Sequence, residues 1–171
     1  MDWHGFFQAL QDSPLAHFIN TAGATYPIVE SLHVIAIALV FGSIFVVDLR
    51  LLGLASTVRP FTGVARDLLR CTWCGFALAV VTGVLLFLPN ASNLYSNAPF
   101  LTKMALLGAA GLNMLVFELI TVRRVSIWDS LHPPVEAKLA GLLSILLWTG
   151  VIVAGRLIGF TSVADDPFSY I

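Results

Sequence analysis

The sequence predicts an all-α fold, a four-helix transmembrane up-down bundle led by an N-terminal interfacial amphipathic segment, with both termini outside. Three observations predict it. Of 171 residues, 58% are hydrophobic and 11% charged, too few charges to cover a soluble globule of this length. Four apolar stretches each approach the ~20 residues that a ~30 Å hydrocarbon core requires. The nine basic residues are unevenly spread, and that asymmetry sets orientation.

Residues 1–25 form the interfacial segment. Trp3, Phe6, Phe7, Leu10, Leu15, Phe18 and Ile19 alternate with Asp2, Gln8, Gln11, Asp12 and Asn20, a pattern too short and too polar to span but suited to the headgroup region. Ser13-Pro14 reads as an N-cap followed by proline at the first helical position, dividing the segment into two short helices with His17 on the second. No basic n-region or long apolar h-region marks a signal peptide here, so the first span is expected to direct insertion.

The transmembrane domain covers residues 26–160, with spans at about 26–49, 71–88, 100–122 and 135–160. Span one opens at Tyr26-Pro27 and closes at Asp48-Leu49-Arg50. Gly53 to Gly63, with Pro60, reads as a connecting turn, and span two follows, borrowing Arg70 and Cys71 at its start. Asn90 to Pro99 reads as a loop, Arg123 to Pro134 as the second connection on the basic side, and 161–171 as an outer tail. Short connections predict that consecutive helices pack antiparallel. Gly75, Ala79, Gly83, Gly108, Gly111, Gly150 and Gly155 are expected at close helix contacts.

Arg50, Arg59, Arg66, Arg70, Arg123, Arg124 and Lys138 all fall on the side of the connections between spans one and two and between spans three and four, which is therefore cytoplasmic. The first 25 residues, the Pro89–Pro99 loop and the tail contain no Lys or Arg but do contain Asp2, Asp12, Asp165 and Asp166. A net charge of −1, with the arginines forming a girdle, excludes a nucleic-acid partner.

Ionisable side chains within spans are costly, so each is a functional candidate. Glu30 and His33 on span one, Lys103, Asn113 and Glu118 on span three and Arg156 on span four qualify; Asp48, His132 and Lys138 lie near span ends. Lys103 and Arg156 are the two basic residues that the topology does not account for, and both fall at the depth of Glu30 and His33, near the outer face. Glu30 and His33, at i and i+3, share a helix face. Three readings fit this layer. His33 is an axial haem ligand oriented by Glu30, with Lys103 and Arg156 meeting the propionates; Glu30 and Arg156 form an ion pair with His33 beside it; or the layer binds a metal ion or proton. A sixth iron ligand would come from His17, His4, Met104 or Tyr26, while His132 lies too far along the membrane normal to share one haem with His33. A carboxylate di-iron site needs a second Glu-x-x-His pair, which the chain lacks. Cys71-x-x-Cys74 has no partner at zinc spacing and reads as two small buried residues.

Tyr26-Pro-x-x-Glu30-Ser-x-His33, Asp48-x-Arg50-Leu-Leu-Gly53, Thr72-Trp73-x-Gly75-Phe76, Thr82-Gly83, Lys103-Met104 with Asn113, and Gly155-Arg156 resemble a bacterial family of four-helix membrane proteins without a settled function. Leu32-His33 and Lys103 also resemble, more remotely, the His and Lys positions of HemJ-type protoporphyrinogen oxidases and CopD-like copper-resistance membrane proteins. The remote resemblance implies haem b held by His33 with Lys103 near the porphyrin; the family likeness implies the bacterial inner membrane. The resulting expectation is a b-type haem-binding, cytochrome b-like protein in electron transfer at the outer face, working with other membrane redox subunits or a periplasmic electron carrier. The competing expectations are a non-catalytic accessory or assembly subunit of a larger complex and a copper or small-solute permease.

Overall fold

The computed structural model describes residues 3–54, 61–117, 119 and 133–164. Asp2, Arg59, Glu118, Arg123, Arg124, His132, Asp165 and Asp166, which entered the reading above, lie outside the described residues. Among the described residues all regular structure is helical.

Two short helices come first, α1 (Trp3–Gln11) and α2 (Pro14–Thr21). Their division follows local chemistry: Ser13 is the N-cap, its hydroxyl accepting from the Ala16 amide, and Pro14 occupies the first turn, where no amide hydrogen is needed. Ala16 and Ile19 form the buried side of α2, while Trp3, Phe6, Leu15 and Phe18 are exposed.

Four long helices follow: α3 (Thr25–Leu51), α4 (Phe61–Phe87), α6 (Ala98–Val116) and α7 (Val135–Ala164). Each contains an apolar stretch long enough to cross a bilayer, and only 6–28% of each stretch is buried inside the protein. With so little of that apolar surface covered by protein, lipid must cover the rest, and the chain is a multi-pass membrane protein. Helix α4 starts ten residues before the expected span, because residues 61–70 carry Ala, Leu and Arg, all strong helix formers, and no proline. The expected loop between spans two and three is also folded, as a 3₁₀ turn (Leu88–Asn90) and a one-turn helix, α5 (Ala91–Leu94).

Side-chain contacts fix how the helices lie. The start of α3 meets the end of α4 through Tyr26 and Asn90, and the start of α6 meets the end of α7 through a hydrogen bond from Asn97 Nδ2 to Thr161 Oγ1 (3.0 Å). At the opposite end Ser43 bonds Thr72 (2.8 Å), and Asn113 Nδ2 donates to the Ala140 carbonyl (3.0 Å). Helix α3 packs along α4, α6 along α7, and α3 crosses α7 over a shorter stretch. Helices α4 and α6, consecutive in sequence, do not pack along each other as expected. They meet at their ends, where Phe87 and Phe100 stack with centroids 5.4 Å apart. The physical reason is the folded 88–94 segment, a wedge that holds α4 and α6 apart.

Glycines mark the close crossings. A Cβ on Gly75 would meet Val40 at 3.1 Å, one on Gly141 would meet Leu51 at 3.1 Å, and one on Gly150 would meet Leu106 at 3.1 Å. In lipid, where apolar burial between helices gains little, such backbone approach is a main source of helix association. Gly108 and Gly111, expected at contacts, face open space. Cys71 and Cys74, expected to be small buried residues, are exposed, because the buried and half-buried flank of α4 carries Thr72, Gly75, Ala79 and Thr82 instead.

Candidate functional site

His33 projects from the third turn of α3 toward α4, where Gly83 leaves room for its ring: a Cβ on Gly83 would stand 3.1 Å from His33 Cε1. Its Nδ1 lies 2.8 Å from Thr82 Oγ1. The Thr82 hydroxyl has its own acceptor, the Leu78 carbonyl at 2.7 Å, so its oxygen is left to accept from Nδ1–H. A second acceptor on the same stretch of α4, the Ala79 carbonyl, also takes a hydrogen bond from the imidazole. With Nδ1–H given to Thr82, Nε2 keeps a lone pair, the arrangement that a ligating histidine needs.

Lys103 reaches the same region from α6. It is half-buried, its Cδ, Cε and Nζ lie against Gly155 of α7, and it is near enough to His33 for their charges to interact. Gly83 on α4 and Gly155 on α7 thus do matching work, one accommodating the imidazole and the other the lysine stem. Neither glycine requires unusual backbone; each is needed for what it lacks.

The other expected members are placed differently. Glu30 and Arg156 are exposed and form no ion pair with each other; the Arg156 guanidinium sits 5.5 Å from the Phe160 ring centroid. The bond to His33 Nδ1 that was expected from Glu30 is made by Thr82. His17 is exposed on α2, pointing away from the buried side formed by Ala16 and Ile19, and His4 packs edge-on against Tyr95 with centroids 6.1 Å apart. Met104 is exposed, and Tyr26 takes a hydrogen bond from Asn90. Among the described residues no three His, Cys, Asp or Glu side chains gather to hold a metal ion.

A cover of aromatic residues closes this end. Phe7 of α1 stacks on Tyr95 (4.9 Å) and meets Phe87 edge-on (6.1 Å), and Gln11 Oε1 accepts from both the amide and the hydroxyl of Ser92. The N-terminal helices therefore rest on the 88–94 wedge above His33. In the sequence Gly83 signals only a close helix contact and Thr82 carries no assigned role; the signal for both is a hydroxyl and a missing side chain, adjacent, at the depth on span two that faces His33.

No curated protein and no solved structure matches the chain significantly. Residues 6–161, from α1 to the last turn of the apolar stretch of α7, match a family of unknown function, DUF6644, and the chain belongs to that family.

Proposed function

We propose that this protein binds b-type haem through His33 and takes part in electron transfer in the bacterial inner membrane. The observation that carries the reading is the 2.8 Å pairing of His33 Nδ1 with a Thr82 hydroxyl that is itself bonded to the Leu78 carbonyl; a ring that gives Nδ1–H to Thr82 keeps a lone pair on Nε2. The residues present fit the group. His33 would ligate iron and Lys103 would offer a cation to a propionate, with Gly83 and Gly155 making room for the imidazole and the lysine stem. Bound haem would supply one-electron carriage between iron oxidation states. In this reading the His33 end faces outward, as the asymmetry of Lys and Arg implies, so both termini are periplasmic and the chain is a four-helix up-down protein. Its redox partners are membrane subunits or a periplasmic electron carrier.

A second reading is favoured by the same bond. Ser43–Thr72, Asn97–Thr161 and Asn113–Ala140 are all interhelical ties, and His33–Thr82 is one more, as expected of an accessory subunit whose polar residues only join its helices. An absorbance spectrum of the purified full chain, produced with adequate haem supply, separates the two. The haem reading expects a Soret band and a reduced α-band, both lost in His33→Ala while gel filtration stays unchanged. A colourless wild-type protein would sink it.

A further inference from the structure

The end of the molecule opposite His33 holds a second polar group with an unmet requirement. Asp48, on the last turns of α3, is 5% exposed and sits where α3 crosses α7. The Ser144 hydroxyl of α7 hydrogen-bonds its carboxyl group. A Cβ on Gly141, one turn earlier on α7, would lie 3.2 Å from the Asp48 carbonyl oxygen, so the crossing leaves no room for a larger neighbour. Asp48 Oδ2 is buried and meets no donor.

Among the described residues no charged side chain is paired with it. Arg50, two residues on, lies around the helix from Asp48 and engages other groups. Lys138 of α7 is half-buried and forms no ion pair with Asp48; Arg70 of α4 is exposed. From α6, Asn113 commits its amide to Ala140. An ionised carboxylate with one oxygen lacking any donor, in a crossing this tight, carries a heavy desolvation cost. A bound cation removes that cost. Among the described residues no other His, Cys, Asp or Glu joins Asp48 to coordinate a metal, and a proton is a cation that one carboxyl group and one hydroxyl hold without a coordination sphere.

We propose that Asp48, with Ser144, is a proton-binding site serving the aqueous face beside the α3–α4 connection. The step is carboxylate plus H⁺ giving the neutral acid, with water at that face supplying and receiving the proton. Toward the other face the polar groups run out. Beyond Ser43–Thr72, the next pair is His33–Thr82, ten residues or about 15 Å along α3, and Ala36 and Val40, 0% and 2% exposed, pack on Gly75 between them. A proton taken up therefore leaves by the face it entered, so the site stores charge and does not conduct it. Loss of the proton admits water at Gly141 and loosens the α3–α7 crossing. The inference stands apart from the haem reading, since Asp48 and His33 occupy opposite ends of α3.

Infrared difference spectroscopy of the full chain in lipid vesicles, recorded as pH is raised, tests it. Expected is a carboxylic-acid C=O band that shifts in D₂O, bleaches with rising pH, disappears in Asp48→Asn and changes frequency in Ser144→Ala. If Asp48→Asn does not fold, the Ser144→Ala comparison decides. A titrating band unmoved by that substitution, or the absence of such a band, overturns the proposal. So does bleaching by added Na⁺ at fixed pH, which would identify a metal-cation site.

Discussion

Helices α3 and α6 begin at the same end of the molecule and are both apolar enough to cross a bilayer, yet the protein uses them in opposite ways. Helix α3 lies between α4 and α7 and buries His33, Ser43 and Asp48 in whole or part, each bonded to a partner helix. Helix α6 packs along α7 alone, and only 6% of its apolar stretch is buried, against 22% for α3. Hydropathy says that each can span but not which face packs, because lipid is as apolar as any helix face. The difference comes from where small residues admit a neighbouring backbone and where a hydroxyl meets a polar side chain.

Substitutions that fill space should reveal this contrast most strongly. Gly75→Leu places a side chain where Val40 and Leu39 stand within 3.2 Å of a Cβ, so a loss of about 1–3 kcal/mol or more is expected in unfolding from mixed micelles. Gly83→Ala acts on the same helix pair but against His33 alone; it should displace the ring and abolish any Soret band while costing less in unfolding free energy than Gly75→Leu. Thr82→Val keeps the shape and removes the acceptor for Nδ1, with an expected loss of about 0.6–1 kcal/mol and a shifted Soret position, whereas Thr82→Ser should restore both. Asn113→Leu should cost about 0.6 kcal/mol, since the Ala140 carbonyl it releases remains inside α7. Gly108→Leu, facing open space, should change stability by less than about 0.5 kcal/mol. If Gly108→Leu proves as damaging as Gly75→Leu, α6 has a partner outside this chain and the contrast with α3 fails.

Element placement was legible from simple signals. Tyr26-Pro27 marks the start of α3 within a residue, and Ser13-Pro14 marks the break between α1 and α2 because cap and proline chemistry act locally. The apolar stretch of α4 begins at Arg70 as expected, but the helix itself extends back to Phe61, into the end of the stretch that reads as a turn up to Gly63. The pairing of α4 with α6 was misjudged: an asparagine- and serine-bearing stretch that reads as loop folds into a wedge. At the site, depth counting brought His33 and Lys103 together correctly, because helical rise converts sequence position into depth. Depth does not specify azimuth, so Glu30 and Arg156 were placed in the same layer although both are exposed. Thr82 and Ser144 were missed as partners since a single hydroxyl in an apolar helix more often bonds its own backbone, as Thr82 also does.

The contact of Gln11 with Ser92 has a bearing on how the chain assembles. It joins positions 81 residues apart, across two membrane crossings, while the rest of α1 docks on residues of the same wedge through Phe7. During synthesis α1 and α2 emerge before α4, but the surface they rest on exists only after α4 and the turn that follows it have formed. These two helices thus find their place late, and Trp3, Phe6, Leu15 and Phe18 stay exposed even once they are docked.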